Sequence, residues 1–203
     1  MDSIERLWDR IETWLKANAP DIAHALTGGV TEEDLRLAEE TMGLVLPEDV
    51  KASYRRQNGF YAGTFLMQQA IFYDLAGMVR GQQGSKAFWA DLLSNAPRSP
   101  KYLSGPIQPV WWHPSWLPLT GDGAGNLWCL DLAPSPGGKI GQIIDFDHEV
   151  GPTKVIATSF QELLSTFAAQ LEAGHYVVAG LNLCDPENVL DDPDDDEDIE
   201  EDD

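Results

Sequence analysis

Apolar residues recur at helical intervals from the start of the chain. Ile4, Leu7, Trp8, Ile11 and Leu15 fall on one face with acids and arginines between them, which predicts an amphipathic helix from about Ser3 to Asn18. Pro20 opposes its continuation, because proline offers no backbone N–H and its ring clashes with the preceding turn. In TGGVTEEDLRLAEETMG, Leu35, Ala38 and Met42 form the next stripe. There Thr31 with Asp34 predicts a capping box, and Gly43 a C-terminal cap. Pro47 opens a third helix in LPEDVKASYRRQNGF, where Val50 and Tyr54 share a face and Asn58-Gly59 is the stop. Residues 63–72, GTFLMQQAIF, are apolar without a clear period. Asp74 predicts the cap of a short helix through Val79, GQQGS a loop, and KAFWADLLSN another helix.

The period changes after NAPRSPKYLSGPIQP, a four-proline stretch that reads as irregular. Strands are predicted near Leu117–Thr120, Asn126–Asp131, Gly141–Phe146 and Lys154–Ala157, with Gly-Asp-Gly and Pro-Gly-Gly turns between the first three. Ser159 with Glu162 predicts a second capping box. Phe160, Leu163, Leu164, Phe167, Ala168 and Leu171 make the closing helix, and Gly174 ends it. The connections between strands are too short for parallel crossovers. The fold class is therefore α+β, with N-terminal helices, a largely antiparallel central sheet and a C-terminal helix packed on it.

Charge divides the chain. The formal net charge is -21, and the stretch from Asp185 to Asp203 holds 13 of the 34 acids and no base, which leaves -8 for residues 1–184. The expected organisation is one domain over 1–184 followed by a disordered acidic tail over 185–203, whose few apolar residues cannot offset the entropy of ordering. Such charge disfavours nucleic acid and anionic lipid and favours basic proteins. Cys129 and Cys184 are far apart and form no CxxC, which fits a reducing compartment. The N-terminus is charged rather than leader-like, and no apolar run approaches the ~18 residues of a membrane span. A cytoplasmic protein is expected.

Four of the seven tryptophans lie in WWHPSWLPLTGDGAGNLWCLDLAP, Trp111 to Pro134. GDGAGN within it fails as a calcium loop, since Ala124 and Ala133 stand where oxygen ligands are needed. It also lacks the Walker and dinucleotide-binding patterns, so a tight hairpin with Gly123 or Gly125 at positive φ is expected. Asp145, Asp147 and His148 in DFDHE could meet a cation, but no second ligand cluster supports them. No GxSxG elbow is present, and Cys129 alternates with apolar neighbours as a buried cysteine does. His24, His113, His148 and His175 lie in four separate segments. No catalytic residue, cofactor site or metal site is expected.

Glu39, Leu46, Pro47, Tyr54, Asn58 and Gly59, followed by Trp116, Leu117, Pro118, Gly125, Asn126, Asp131, Gly141, Ser159 and Phe160, form an ordered pattern. Over roughly Ile4 to Tyr176 it resembles the SUKH superfamily, in the branch of the fungal cell-wall-assembly and killer-toxin-resistance (Smi–Knr type) regulators and their bacterial relatives. The resemblance implies a non-enzymatic protein-binding module. Bacterial domains of this kind serve as immunity proteins that bind polymorphic toxins, often basic ones, and an acidic domain suits that role by charge steering. This is the first expectation, with a regulatory scaffold of the cell-wall-assembly type as the alternative. A metal-dependent enzyme using Asp145, Asp147 and His148 is the remote alternative. Candidate partner-binding residues are Tyr102, Trp111 and Trp112 from the irregular segment, with Asp122, Asp145, Asp147 and Glu149 from the sheet turns. Trp116 is placed in the core. The partner is expected to be a protein, with neither nucleic acid nor membrane involved, and the pattern does not fix the oligomeric state.

Overall fold

A computed structural model describes residues 2–59, 71–95, 99–184 and 186. The helices are α1 (Ile4–Asn18), α2 (Pro20–His24), α3 (Glu32–Met42), α4 (Glu48–Arg56), α5 (Leu75–Asn95) and α6 (Phe160–Glu172). The strands are β1 (Ile71–Phe72), β2 (Trp116–Gly121), β3 (Leu127–Asp131), β4 (Gln142–Asp147), β5 (Gly151–Ala157), β6 (Val177–Ala179) and β7 (Asn182–Cys184). β1 to β5 form one antiparallel sheet in chain order, and β6 pairs with β7 in a separate hairpin. The expected α+β architecture is present. The acidic tail lies outside the described residues, apart from Pro186, as does most of the apolar stretch 63–72.

The local signals act as their chemistry predicts. Ser3 Oγ caps α1 by accepting the Arg6 N–H. Thr31 and Asp34 exchange both bonds of a capping box, and Gly43 ends α3 at φ 68°, in the left-handed region that glycine enters without steric cost. The box at α6 is rearranged. Ser159 Oγ accepts from Glu162 N, but the Glu162 carboxylate reaches back to Thr158, one residue earlier.

Both faces of the sheet are covered. Leu117, Leu119, Leu130, Ile143 and Ala157 belong to a core shared with α1, α3, α4, α6 and the start of α5. α1 packs on α4 and α6, and Arg10 ties α1 to α6 through paired bonds to Glu172 at 2.8 and 2.6 Å. Trp116, Cys129, Ile144 and Phe146 belong to a second core, roofed by Trp89 of α5 and by Ile107, Trp111 and Trp112 of the proline-rich segment. That segment also closes an exposed sheet edge, because the Lys101 and Ser104 N–H groups bond to Val150 and Thr153 carbonyls beside β5.

α5 differs from the expectation. The predicted short helix, GQQGS loop and second helix are one continuous helix of 21 residues. The glycines do not break it because packing holds it in place. A Cβ at Gly81 would sit 3.4 Å from the Pro118 ring, so the helix lies close against β2 there. Gly84 faces open space at ordinary helical φ. Gly84→Ala is therefore expected to stabilise the chain by about 0.5–1 kcal/mol, the usual gain in a helix interior. Urea denaturation measures this, and no gain would mean that GQQGS is not held helical in solution. Two short features went unanticipated: α2, which starts at Pro20, and the β6–β7 hairpin.

Candidate functional site

The β2–β3 turn is built by Asp122. Its Oδ1 accepts the N–H groups of Ala124 and Asn126, and its Oδ2 accepts from Asn126 Nδ2 at 2.7 Å. Gly123 and Gly125 both sit at positive φ, as the hairpin requires. Burial opposes the charge on Asp122, but these donors outweigh it and hold the carboxyl below its ordinary value. The β4–β5 turn is built in the same way, with Asp147 Oδ1 accepting from Glu149 N and Val150 N. Antiparallel pairing of β3 with β4 then sets the two turns side by side. His148 N donates to Asn126 Oδ1 at 3.2 Å, and the His148 side chain lies against Gly125.

The candidate residues gather around this end of the sheet. Asp122, Asp147 and Glu149 come from the two adjacent turns. Tyr102, 70% exposed, lies between the two residues whose N–H groups bond the β5 edge. Asp145 is half-buried on β4, where Thr153 Oγ1 donates to its Oδ2 at 2.6 Å.

Trp111 and Trp112 are corrected from exposed anchors to core residues. They are 3% and 8% exposed. Trp111 packs against Gly151, and Trp112 stands edge-on to Phe146 at 5.0 Å and to Trp116 at 5.8 Å. The physical reason is the second sheet face, whose apolar side chains need a cover that, among the described residues, this segment and α5 supply. The two tryptophans can shape the surface above them, while Tyr102 and the turn acids form it.

Three polar side chains of DFDHE are already hydrogen-bonded. Asp145 takes the Thr153 hydroxyl, Asp147 takes two backbone N–H groups, and His148 Nδ1 lies 3.0 Å from Asn126 Oδ1. Among the described residues no three His, Cys, Asp or Glu side chains converge on a point where a metal ion could be held. Cys129 is fully buried, and burial together with Asp131 and Asp145 pushes its thiol well above the ordinary value, away from the reactive thiolate. His113 packs beside Trp116, and its Nδ1 accepts the Ser115 N–H. What the geometry offers is a surface on which exposed Tyr102 stands near the acids of two hydrogen-bonded turns.

The residues that carried the sequence resemblance prove to be folding devices. Glu39 Oε1 accepts the Leu46 N–H at 2.8 Å, and Pro47 leads into α4. Tyr54 is buried and donates its hydroxyl to the Tyr73 carbonyl, and burial pushes that hydroxyl far above its ordinary value. Asn58 Oδ1 accepts the Leu75 N–H at the start of α5. Gly141, at φ 90°, lies against the Pro47 ring. Trp116 Nε1 donates to the buried Asp131, which also receives the Ala133 N–H and Gln142 Nε2.

A family model described as SMI1 / KNR4 family (SUKH-1) matches residues 29–166, more than half of the chain. The chain is 32% identical over 210 residues to the "Cell wall assembly regulator SMI1" of Saccharomyces cerevisiae, covering 86% of this chain and 42% of that protein. It is 29% identical over 223 residues to "KNR4/SMI1 homolog 2" of Debaryomyces hansenii, covering 88% of this chain and 37% of that protein. It is 28% identical over 188 residues to the "Cell wall biosynthesis/cell cycle regulator smi1" of Schizosaccharomyces pombe, covering 86% and 37%. The chain thus spans about two fifths of the length of these relatives.

Proposed function

Because the chain belongs to the SMI1 / KNR4 family (SUKH-1), we propose that it is a non-enzymatic regulator of the cell-wall-assembly type, acting by binding other proteins. The observation that carries the reading is the likeness to fungal proteins named as cell-wall regulators, which extends over most of this chain. This reverses the order of the sequence expectations, which set a bacterial immunity protein first. Acidic charge alone supports that role, and it suits a regulator equally. The remote metal-enzyme reading is not the one proposed: Asp145, Asp147 and His148 are each hydrogen-bonded within the sheet and its turns, which suits a structural role.

The turn face is the proposed contact surface for a basic partner protein. Tyr102 would be its anchor, and Asp122, Asp147 and Glu149 its charges. Tyrosine is a favoured interface anchor because it buries a rigid ring and keeps one polar tip, and losing such an anchor commonly costs about 2 kcal/mol. No helix of the described residues is long and apolar enough to cross a membrane, so a membrane-spanning role gains no support from them.

The test is affinity capture from a fungal lysate with the wild type and with a Tyr102→Ala, Glu149→Lys variant shown to fold by circular dichroism. Both positions are exposed, so the fold should survive. Cell-wall assembly or signalling proteins should be enriched by the wild type and depleted at least tenfold by the variant. Recovery of a basic toxin domain instead would restore the immunity reading, and equal recovery by both forms would remove the turn face from the interface.

A further inference from the structure

A groove runs between α3 and the first turns of α5, and none of the turn-face residues lines it. Asp34, Leu37, Ala38 and Thr41 line one wall, and Leu75, Ala76, Val79 and Arg80 the other. Their spacings of three, one and three on α3, and one, three and one on α5, are those of helix faces turned toward each other. The described residues enclose about 480 Å³ there. Thr41 lies seven positions after Asp34, so the groove is about 10 Å long, roughly two helical turns.

Leu37 sits on this wall 47% exposed. It stands off the buried stripe of Leu35, Ala38 and Met42, so folding of α3 does not require it to be apolar. The α3 wall is acidic, while the α5 wall carries the exposed cation Arg80. α3 carries Glu32, Glu33, Asp34, Glu39 and Glu40 against the single base Arg36. Arg36 is already paired with Glu33 and Glu40, and Arg55 of α4 with Glu32. Asp34 bonds only within its capping box and has no cation at ion-pair distance among the described residues. Hydrogen bonds from Thr31 hold its carboxyl below the ordinary value, so it is charged at neutral pH. Arg80, on the opposite wall, lies 3.7 Å from Asp74.

We propose that this groove docks an amphipathic helix of a partner protein, with apolar residues at i, i+3 or i+4 and i+7 lying in the groove and Lys or Arg flanking them. An apolar floor two turns long is what the helix-in-groove mode of recognition needs. The acidic α3 and the chain's net charge of -21 select basic flanks and repel acidic ones. The inference deepens the protein-binding reading and rests on it, and it adds a second surface, lined by none of the turn-face residues.

The experiment uses a fluorescent 18-residue helical peptide with leucines at i, i+4, i+7 and i+11 and Lys and Arg elsewhere. A control peptide keeps the leucines and carries Glu and Asp. Fluorescence anisotropy with the full chain should show saturable binding of the basic peptide and at least tenfold weaker binding of the acidic one. Leu37→Asp is the decisive variant. It adds a negative charge, so non-specific attraction of the basic peptide should rise, whereas seating of leucines in the groove should weaken about tenfold or more. Ala76→Trp fills the groove without changing charge and should weaken binding similarly. Both positions are exposed, so the variants should fold, which thermal melting checks. Unchanged or stronger binding by folded Leu37→Asp would overturn the proposal, as would equal binding of both peptides. A dimer that Leu37→Asp dissolves, in the absence of peptide binding, would assign the groove to a second copy and overturn it as well. Failure here leaves the lysate capture by the turn face untouched, so the two readings fall separately.

Discussion

Truncating Trp116 to alanine is expected to cost about 3–5 kcal/mol, the usual price of removing a buried aromatic side chain and leaving a cavity. Trp116 is fully buried, and its indole stands edge-on to Trp112 at 5.8 Å. Its Nε1 donates to Asp131 Oδ1 at 3.1 Å, so the truncation also takes a donor from a buried carboxylate. Domains commonly hold only about 5–15 kcal/mol of net stability, so the variant should unfold at much lower denaturant or fail to accumulate. Trp116→Phe narrows the comparison. It keeps a six-membered ring in the core and removes the donor together with part of the indole, and should cost less than the alanine change, about 1–3 kcal/mol. Equilibrium unfolding in urea measures both. A loss below about 1 kcal/mol for the alanine variant would show that Trp116 does not pack in the second core.

Asp131→Asn should cost about 1–3 kcal/mol although it changes the side chain by one atom type. The aspartate is fully buried on β3 and receives three donors, two on Oδ1 and Gln142 Nε2 on Oδ2 at 2.9 Å. An asparagine can keep the first two, but its amide then faces the Gln142 amide, donor to donor. Gln142 cannot turn over freely, because its Nε2 also donates to the Pro106 carbonyl and its Oε1 accepts the Lys139 N–H. The clash therefore loosens the link between the sheet and the proline-rich segment.

Acidity gives this prediction a second readout. Burial raises the Asp131 carboxyl above its ordinary value, more than the bonds from Ala133, Gln142 and Trp116 lower it. The folded chain thus holds that proton more firmly than the unfolded chain. Between the ordinary value of ~3.9 and the raised one, Asp131 makes stability increase as pH falls. Carboxylates held low by their partners, such as Asp122 in its turn and Glu162 beside Thr158, act the other way. Their contribution is present above the ordinary value and is lost as pH falls through the lowered one. Removing Asp131 takes away the opposing trend, so the Asp131→Asn variant should lose melting temperature more steeply than wild type between pH 7 and pH 4. Parallel curves would mean that Asp131 does not titrate in the folded chain.

Local chemistry was legible in the sequence wherever it decides the structure alone. Ser3, Thr31 and Gly43 act on backbone groups within a turn of themselves, and the structure uses each as its residue type suggests. The Asp122 hairpin is legible for the same reason. α5 was not legible, since Gly81 and Gly84 weaken a helix by propensity and only contact with β2 outweighs that. Trp111 and Trp112 misled because irregular backbone has no period to mark an inner face. Their burial follows from the need to cover the second side of the sheet, which becomes visible only when the sheet exists. The turn acids were found one by one, but their meeting depends on the β3–β4 register. The α3–α5 groove went unseen because its walls are more than thirty residues apart. Leu37, apolar yet off the buried stripe, was the available signal.

The most direct test of the central claim is complementation in Saccharomyces cerevisiae lacking its cell wall assembly regulator SMI1, with growth rate under cell-wall stress as the measurement. The chain covers 86% of its own length in that match and 42% of the yeast protein, so the assay asks whether this shared part suffices. Wild-type chain, confirmed to be folded and expressed, is expected to restore growth. A triple variant, Leu37→Asp, Tyr102→Ala and Glu149→Lys, is expected to fold and to restore none. Growth no better than that of the deletion strain with folded wild-type chain present would contradict the claim.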